Sequence, residues 1–133
     1  MSAGWLQPAA WSGRRVLITG HTGFKGGWLS LWLHALGARL AGYALAPSTR
    51  PSLFEQAHVE RLFDHHLLAD VRDAAALRQA VAVARPEVVF HLAAQPLVRA
   101  SYLQPLQTFD TNIMGTAHLL DAVRQSDSVR AVV

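Results

Sequence analysis

At 133 residues the chain is long enough for one core, and one domain is the natural count. With 51% apolar and 16% charged residues it is globular rather than disordered; its +3 charge comes from basic residues scattered singly apart from Arg14-Arg15, which offers no basic face to nucleic acid. The absence of cysteine excludes disulfides, thiolate metal sites and cysteine catalysis, and suits a cytoplasmic protein.

Residues 1–12 read as a leader that packs Trp5 or Trp11 against the domain edge; they lack the basic start and long apolar centre of a signal peptide. Residues 14–19 predict the first strand, whose unbroken Val16-Leu17-Ile18 suits a central parallel strand covered on both faces. A glycine-rich turn leads into a helix over about 26–36, apolar enough to be buried on most sides and stopped by Gly37. That stretch falls far short of the ~20 apolar residues a membrane span needs. Residues 39–44 are a second strand. After a loop around Pro47 and Pro51, Ser52 and Glu55 form a capping box for a short helix from Leu53. Residues 66–69 are the third strand, ending at Asp70; Asp73 caps a helix over 74–84. Residues 87–93 hold the fourth strand and 95–104 a loop. Pro105 opens a long helix to about Arg124, and 130–133 begin a fifth strand.

Strands alternating with helices imply an α/β fold: a doubly wound parallel sheet of Rossmann type. With the turn after the first strand, the expected order is 3-2-1-4-5. The expected organisation is a leader over 1–12 and an incomplete dinucleotide-binding domain over 13–133.

The turn itself, TGHTGFKGG at 19–27, spaces Gly20, Gly23 and Gly26 as GxxGxxG. Strand, glycine turn and helix together bind the pyrophosphate of a dinucleotide on backbone N–H groups and the helix N-terminus. Gly20 permits the tight turn, Gly23 lets the pyrophosphate approach, and Gly26 lets helix and strand pack closely. Asp70, after the third strand, is placed to accept a hydrogen bond from an adenine amino group. Small residues at the end of the fourth strand, Ala93 and Ala94, leave room for a flat ligand. His91 reads as a satisfied core or loop histidine. Gly115, inside the long helix, costs about 1 kcal/mol relative to alanine and so implies a close neighbour. Asn112 is placed to bond the adjacent loop or strand backbone.

These stretches, with GYAL at 42–45, PSLFE at 51–55, HLAAQPLVRASY at 91–102 and TNIMGTAHLL at 111–120, resemble the extended short-chain dehydrogenase/reductases. Within that group they are similar to the CDP-glucose 4,6-dehydratase family, from Val16 onward. The resemblance implies a lyase in deoxysugar biosynthesis of the lipopolysaccharide O-antigen type. Held NAD oxidises C4 of CDP-glucose, water leaves across C5 and C6, and hydride returns to C6. It implies cofactor contacts at Gly20, Thr22, Gly23, Phe24, Lys25, Gly26, Asp70, Val71, Ala93, Ala94 and Asn112. Substrate-side candidates are Gln95, Arg99 and Tyr102. No metal, nucleic acid or membrane is implied, and the complete enzyme is expected to dimerise through the long helix.

Two departures qualify these expectations. No acid follows the second strand across 43–47 to take the adenosine ribose of NAD, and Arg50 lies close enough in sequence to suggest a 2′-phosphate, so NADP stays open. No Tyr-x-x-x-Lys base pair is present: Tyr43 and Tyr102 are followed four positions later by Pro47 and Leu106, and Lys25 is the sole lysine. The catalytic and substrate-binding part is therefore expected to lie outside these residues, in a chain that reads as an amino-terminal fragment. Another sugar-nucleotide epimerase or dehydratase, and a non-catalytic dinucleotide-binding protein, remain alternatives.

Overall fold

A computed structural model describes residues 7–133. The reading of Trp5, and of most of the leader, lies outside the described residues. Gln7 leads into a short helix α1 (Pro8–Trp11), and half-buried Trp11 tilts against Phe90 with ring centroids 6.1 Å apart.

The elements then follow in order: β1 (Arg15–Thr19), α2 (Phe24–Ala35), β2 (Arg39–Ala44), α3 (Leu53–Gln56), a single 3-10 turn (Val59–Leu62) and β3 (Phe63–Leu68). After these come α4 (Ala74–Ala84), β4 (Val88–His91), α5 (Val98–Leu103), α6 (Pro105–Phe109), one π turn (Asp110–Met114), α7 (Gly115–Arg124) and β5 (Ala131–Val132). The five strands form one parallel sheet in the order β3-β2-β1-β4-β5. This is the Rossmann-type doubly wound arrangement expected from the alternation.

Successive residues of β1 face opposite sides of the sheet. Leu17 joins Ala41, Tyr43, Val89, Leu77, Val81 and Leu119 beneath α4 and α7, whereas Val16 and Ile18 join Leu40, Val88 and Leu33 beneath α2. Val16, Leu17 and Ile18 are at most 1% exposed, so each contributes roughly 2 kcal/mol by leaving water.

Helix α2 differs from the expectation of burial on most sides. Trp28 and Trp32 are 54% and 52% exposed. The core face consists of Gly26, Gly27, Ser30 and Leu33, small residues that let the helix lie close, with the Ser30 hydroxyl returned to the Gly26 carbonyl at 2.6 Å. Gly37, at φ +84°, closes the helix as expected: its N–H donates to His34 O and that of Ala38 to Leu33 O.

Three boundaries also differ. β3 begins at Phe63, not His66, because it is an edge strand whose Asp64 and His65 face solvent. β4 stops at His91, since Leu92 and Ala93 bend back to the Thr19 hydroxyl. The segment read as a loop over 95–104 contains helix α5. The long helix from Pro105 is present but interrupted by the π turn. Among the described residues, no helix is long and apolar enough to cross a membrane.

Gly115 has the neighbour its position implied: a Cβ there would lie 2.7 Å from Val71 Cγ2. Valine has little rotamer freedom to yield. We expect Gly115→Ala to destabilise the fold by about 1–2 kcal/mol despite its better helix propensity. In a Val71→Ala background the same change should become neutral or stabilising. Chemical denaturation of the four variants checks this, and equal penalties in both backgrounds would refute the close contact.

Candidate functional site

The site is built at the carboxyl edge of the sheet, beginning where β1 ends. Gly20 adopts φ +76°, and its N–H donates to Tyr43 O at 2.9 Å. A Cβ on Gly20 would lie 2.7–2.8 Å from the backbone of Leu92 and Ala93. A Cβ on Gly26 would strike the Gly20 carbonyl oxygen and come within 2.7 Å of His21 Cα. Gly20 and Gly26 therefore play the packing parts their spacing suggested. Gly23 has ordinary room and sits at the N-cap of α2, with no side-chain cap and no acidic residue in the first turn of the helix. The N–H groups of Phe24, Lys25 and Gly26 open this helix, where the partial positive charge gathers. Thr22 ties the turn to the end of β2 through a hydroxyl hydrogen bond to Leu45 O at 2.7 Å.

The third residue of the turn is not part of that cradle. His21 is fully buried, and its Nε2 meets His66 Nδ1 on β3 at 2.8 Å. The ring packs against Phe54, Phe63 and His66, and a Cβ on Gly42 would lie 2.8 Å from it. Burial, reinforced by His66, lowers its pKa to about 4; the Tyr43 backbone beside the ring pulls the other way. Even so, Nδ1 finds no hydrogen bond of ordinary geometry among the described residues.

On the β4 side, one hydroxyl organises the strand end. Thr19 Oγ1 accepts the N–H groups of Leu92 and Ala93 at 3.1 and 3.2 Å, so its own proton goes to His91 Nδ1 at 2.7 Å. The Nε2 proton of His91 then donates to Thr116 Oγ1 at 3.0 Å, and Thr116 donates to Asn112 O at 2.8 Å. Burial lowers the His91 pKa and favours this neutral form. Asn112 grips Gln95 by both main-chain groups, accepting its N–H at 2.7 Å and donating to its carbonyl at 3.1 Å. The Gln95 side chain bonds the Leu97 main chain and the Thr108 hydroxyl. Ala93 and Ala94 thus lie between two anchored points, with the Ala93 N–H already given to Thr19. Arg99 and Tyr102 stand exposed on α5, beyond the Gln95 clamp, with Tyr102 84% exposed.

Two strands away, Asp70 follows β3. Its main-chain carbonyl accepts the hydroxyl of buried Tyr43 at 2.7 Å, and its carboxylate accepts the main-chain N–H and the guanidinium of Arg72. Arg72 holds the Asp70 carboxyl below the usual carboxylate value, and burial pushes the Tyr43 hydroxyl up to about 12. Val71 points inward, 5% exposed, against α7; its carbonyl meets His118 Nδ1 at 3.1 Å. Asp73 caps α4 through Ala76 N at 2.9 Å, which leaves Asp70 for the sheet edge.

The sequence reading missed Thr19, Thr116, Arg72 and the His21–His66 pair. Thr19 pairs with His91 in the register of β1 and β4, so aligning the two strand ends would have exposed that relay. A cavity of about 300 Å³ lined by Arg15, Arg39, Asp64, His65 and Arg85 opens at the opposite end of the strands. Its arginines are already bound to Glu87, Asp64 and Asp127. Among the described residues no group of three or more histidines and carboxylates is placed to hold a metal.

A glycine turn pressed onto the switch point of a 3-2-1-4-5 parallel sheet defines a Rossmann-type domain. The model of the GDP-mannose 4,6 dehydratase family matches residues 17–133, and the chain belongs to that family. It is 55% identical over 123 residues to CDP-glucose 4,6-dehydratase of Salmonella typhimurium, covering 92% of this chain and 34% of that protein. The chain spans about a third of the length of the relatives it matches. UDP-glucose-4-epimerase of Stenotrophomonas maltophila, solved with bound NAD and formylated UDP-arabinopyranose, superposes with a TM-score of 0.74 at 28% identity, over 90% of this chain and 35% of that one. The UDP-glucose 4-epimerase of Thermus thermophilus, solved in complex with NAD, gives a TM-score of 0.73 at 32% identity, over 88% of this chain and 36% of the other.

The buried histidine makes the fold acid-sensitive. Between its ordinary value of 6.5 and about 4, the unfolded chain takes up a proton at His21 that the folded chain refuses. Stability attributable to this group is therefore present above pH 6.5, falls as the pH drops through that window, and has fallen by about 3 kcal/mol below it. Replacing the group by His21→Asn should flatten the fall in melting temperature between pH 6.5 and 5. Parallel slopes for the two proteins would refute the assignment.

Proposed function

We propose that this chain supplies the dinucleotide-binding part of a cytoplasmic CDP-glucose 4,6-dehydratase. The observation that carries the reading is the uncapped N-terminus of α2, with Gly20 and Gly26 closing the turn beneath it where no Cβ fits. Main-chain N–H groups of Phe24, Lys25 and Gly26 receive the pyrophosphate there, with the Lys25 ammonium beside it. Asp70 and Val71 border the adenine, and Ala93 and Ala94, held flat by Thr19 and Asn112, floor the nicotinamide side. NAD held by these residues would supply a reversible hydride acceptor for the oxidation at C4 and the reduction at C6 of the sugar.

NAD is favoured over NADP by the structural neighbours solved with NAD; Arg50, 87% exposed and 3.6 Å from Glu55, decides nothing by itself. CDP-glucose is favoured by the 55% identity to the Salmonella enzyme. Gln95, Arg99 and Tyr102 border the substrate side. The exposed apolar side chains Leu103, Leu106, Phe109 and Ile113 suit the dimer contact of a complete enzyme. Proton transfer falls to residues outside this chain, which holds no Tyr-x-x-x-Lys.

Calorimetric titration tests the binding half of the reading. The chain should bind NAD more tightly than NADP, without turning over CDP-glucose. Gly26→Ala, which displaces the turn, should weaken NAD by at least about tenfold, the equivalent of one well-placed charged hydrogen bond. A folded chain that binds neither dinucleotide would overturn the reading.

A further inference from the structure

We propose that the amino edge of the sheet, opposite the glycine turn, carries a second binding site, for a small phosphate monoester. Its phosphate meets Arg15, Arg39 and Arg85, and its organic group lies in the trough between β3 and α4. The proposal stands apart from the reading of the glycine turn.

The arginines are scattered along the chain, and the topology gathers them. The sheet is parallel, so every strand starts on the same edge. Arg14 and Arg15 stand at the start of β1, Arg39 opens β2, Arg61 lies in the 3-10 turn before β3, Arg85 precedes β4 and Arg130 precedes β5. They outnumber the acids beside them, Glu60, Asp64, Glu87 and Asp127.

Three of these arginines line the cavity of about 300 Å³. Arg15 and Arg39 are register partners on β1 and β2, so their side chains leave the same face side by side. Like charges so placed repel, and an anion between them relieves the repulsion. Arg85 enters from the end of α4, where it is the C-cap at φ +43°. That left-handed conformation favours glycine, so an arginine is kept there at a conformational cost.

The existing ion pairs leave donors over. Arg39 gives only Nε to Asp64, and Arg85 only Nη2 to Asp127. Arg15 gives Nε to the Arg85 carbonyl, and its Nη2 lies 3.8 Å from Glu87. The other guanidinium N–H groups make no hydrogen bond among the described residues. Arg39 and Arg85 are more than half exposed, so their pairs hold weakly and yield to a better acceptor. A phosphate monoester brings nearly two negative charges and several acceptor oxygens to these planar forks. Asp64, the one carboxylate lining the cavity, is the group it displaces from Arg39.

The cavity continues into a second space of about 390 Å³, with which it shares Ala41, His65, Val83 and Ala84. That space runs on to Leu67, Gln79 and Ala80. Its walls are mostly apolar, and Leu67 and Val83 stand about half exposed because β3 is the edge strand and nothing described lies beyond it. A flat apolar group attached to the phosphate covers these side chains, since alanines leave the trough open along its length.

Phenyl phosphate is the probe, titrated calorimetrically into the full chain with NAD at saturation, so that the glycine turn is occupied. Inorganic phosphate should bind about tenfold more weakly, a ratio supplied by the half-covered ring. Arg39→Gln should weaken phenyl phosphate by about tenfold, and Arg39→Lys, which keeps the charge but not the fork, by about threefold. Arg85→Gly should weaken it by about tenfold while raising the melting temperature, a combination that a purely structural arginine would not give. Val83→Asn should bring phenyl phosphate down to the affinity of inorganic phosphate. Arg124→Gln, on α7, should change nothing. A folded chain that binds no phenyl phosphate, or that loses it equally in Arg124→Gln, would overturn the site. Equal affinities for phenyl phosphate and inorganic phosphate would remove the trough and the proposal with it. Phenyl phosphate bound in the expected pattern by a chain that fails to bind NAD would uphold the site and overturn the reading of the turn.

Discussion

The site depends on a backbone approach that leaves no space for a side chain. Gly20 abuts the Leu92–Ala93 backbone, and Gly26 abuts Gly20 and His21, so β1, β4 and α2 converge on one point. A Cβ at either glycine would have to push backbone, not a flexible side chain, and backbone at a parallel-strand end has little room to move. The convergence brings the start of α2 over the carboxyl edge of the central strands. Once it is in place, the helix dipole, the turn N–H groups and the end of β4 share one small volume without any charged side chain being buried there.

Holding that convergence is the task of neutral hydrogen bonds. Thr19, His91, Thr116 and Asn112 form a chain in which each proton has one available acceptor, running from β1 through β4 into α7 and the π turn. A relay of this kind is directional, and one unpaired member would leave buried Thr19 or its half-buried partners short of a hydrogen bond. The π turn fits here: its extra residue falls where Asn112 must reach Gln95. The relay ends where the chain leaves the sheet for α5, so the segment over 92–97 is fastened at both ends while its middle, Ala94, faces solvent.

The central fold was legible because β1 is covered on both faces and must be written as an apolar run. The edge was not. β3 begins at Phe63 with Asp64 and His65 facing solvent, and no apolar pattern announces a strand paired on one side. Helix α5 starts at Val98, with Leu97 at the N-cap and no side-chain cap, so the sequence carries no start signal, and Pro96 favours reading a loop. In α2 the apolar letters misled about burial: the tryptophans at 28 and 32 share an outward stripe, while glycine and serine make the inward one. At the candidate site, the close packing of Gly20 and Gly26 and the bond of Asn112 to the neighbouring loop could be read from position alone. Thr19 and His66 could not, since their parts exist only after strand ends from distant stretches are brought side by side; Arg72 pairs with Asp70 two residues away and reads in the sequence as one more surface arginine.

Contact also explains why the separated stretches that carried the family resemblance belong together. His21 of the turn needs Gly42 for space, Phe54 for a wall and His66 for its hydrogen bond. That joins the turn to the GYAL and PSLFE stretches in one packed unit on the β2 side. On the β4 side, His91 meets Thr116 and Gln95 meets Asn112, which joins the remaining two stretches into another. A generic glycine turn requires neither unit, because three glycines and a helix suffice to seat a pyrophosphate. Changing His21 alone would leave a hole lined by Gly42 and Phe54, and enlarging the residue at 42 would require a smaller one at 21. The letters are interdependent through packing, so the resemblance is carried by two assembled clusters flanking one phosphate cradle. It is this flanking, and not the cradle itself, that separates the chain from an ordinary dinucleotide-binding turn.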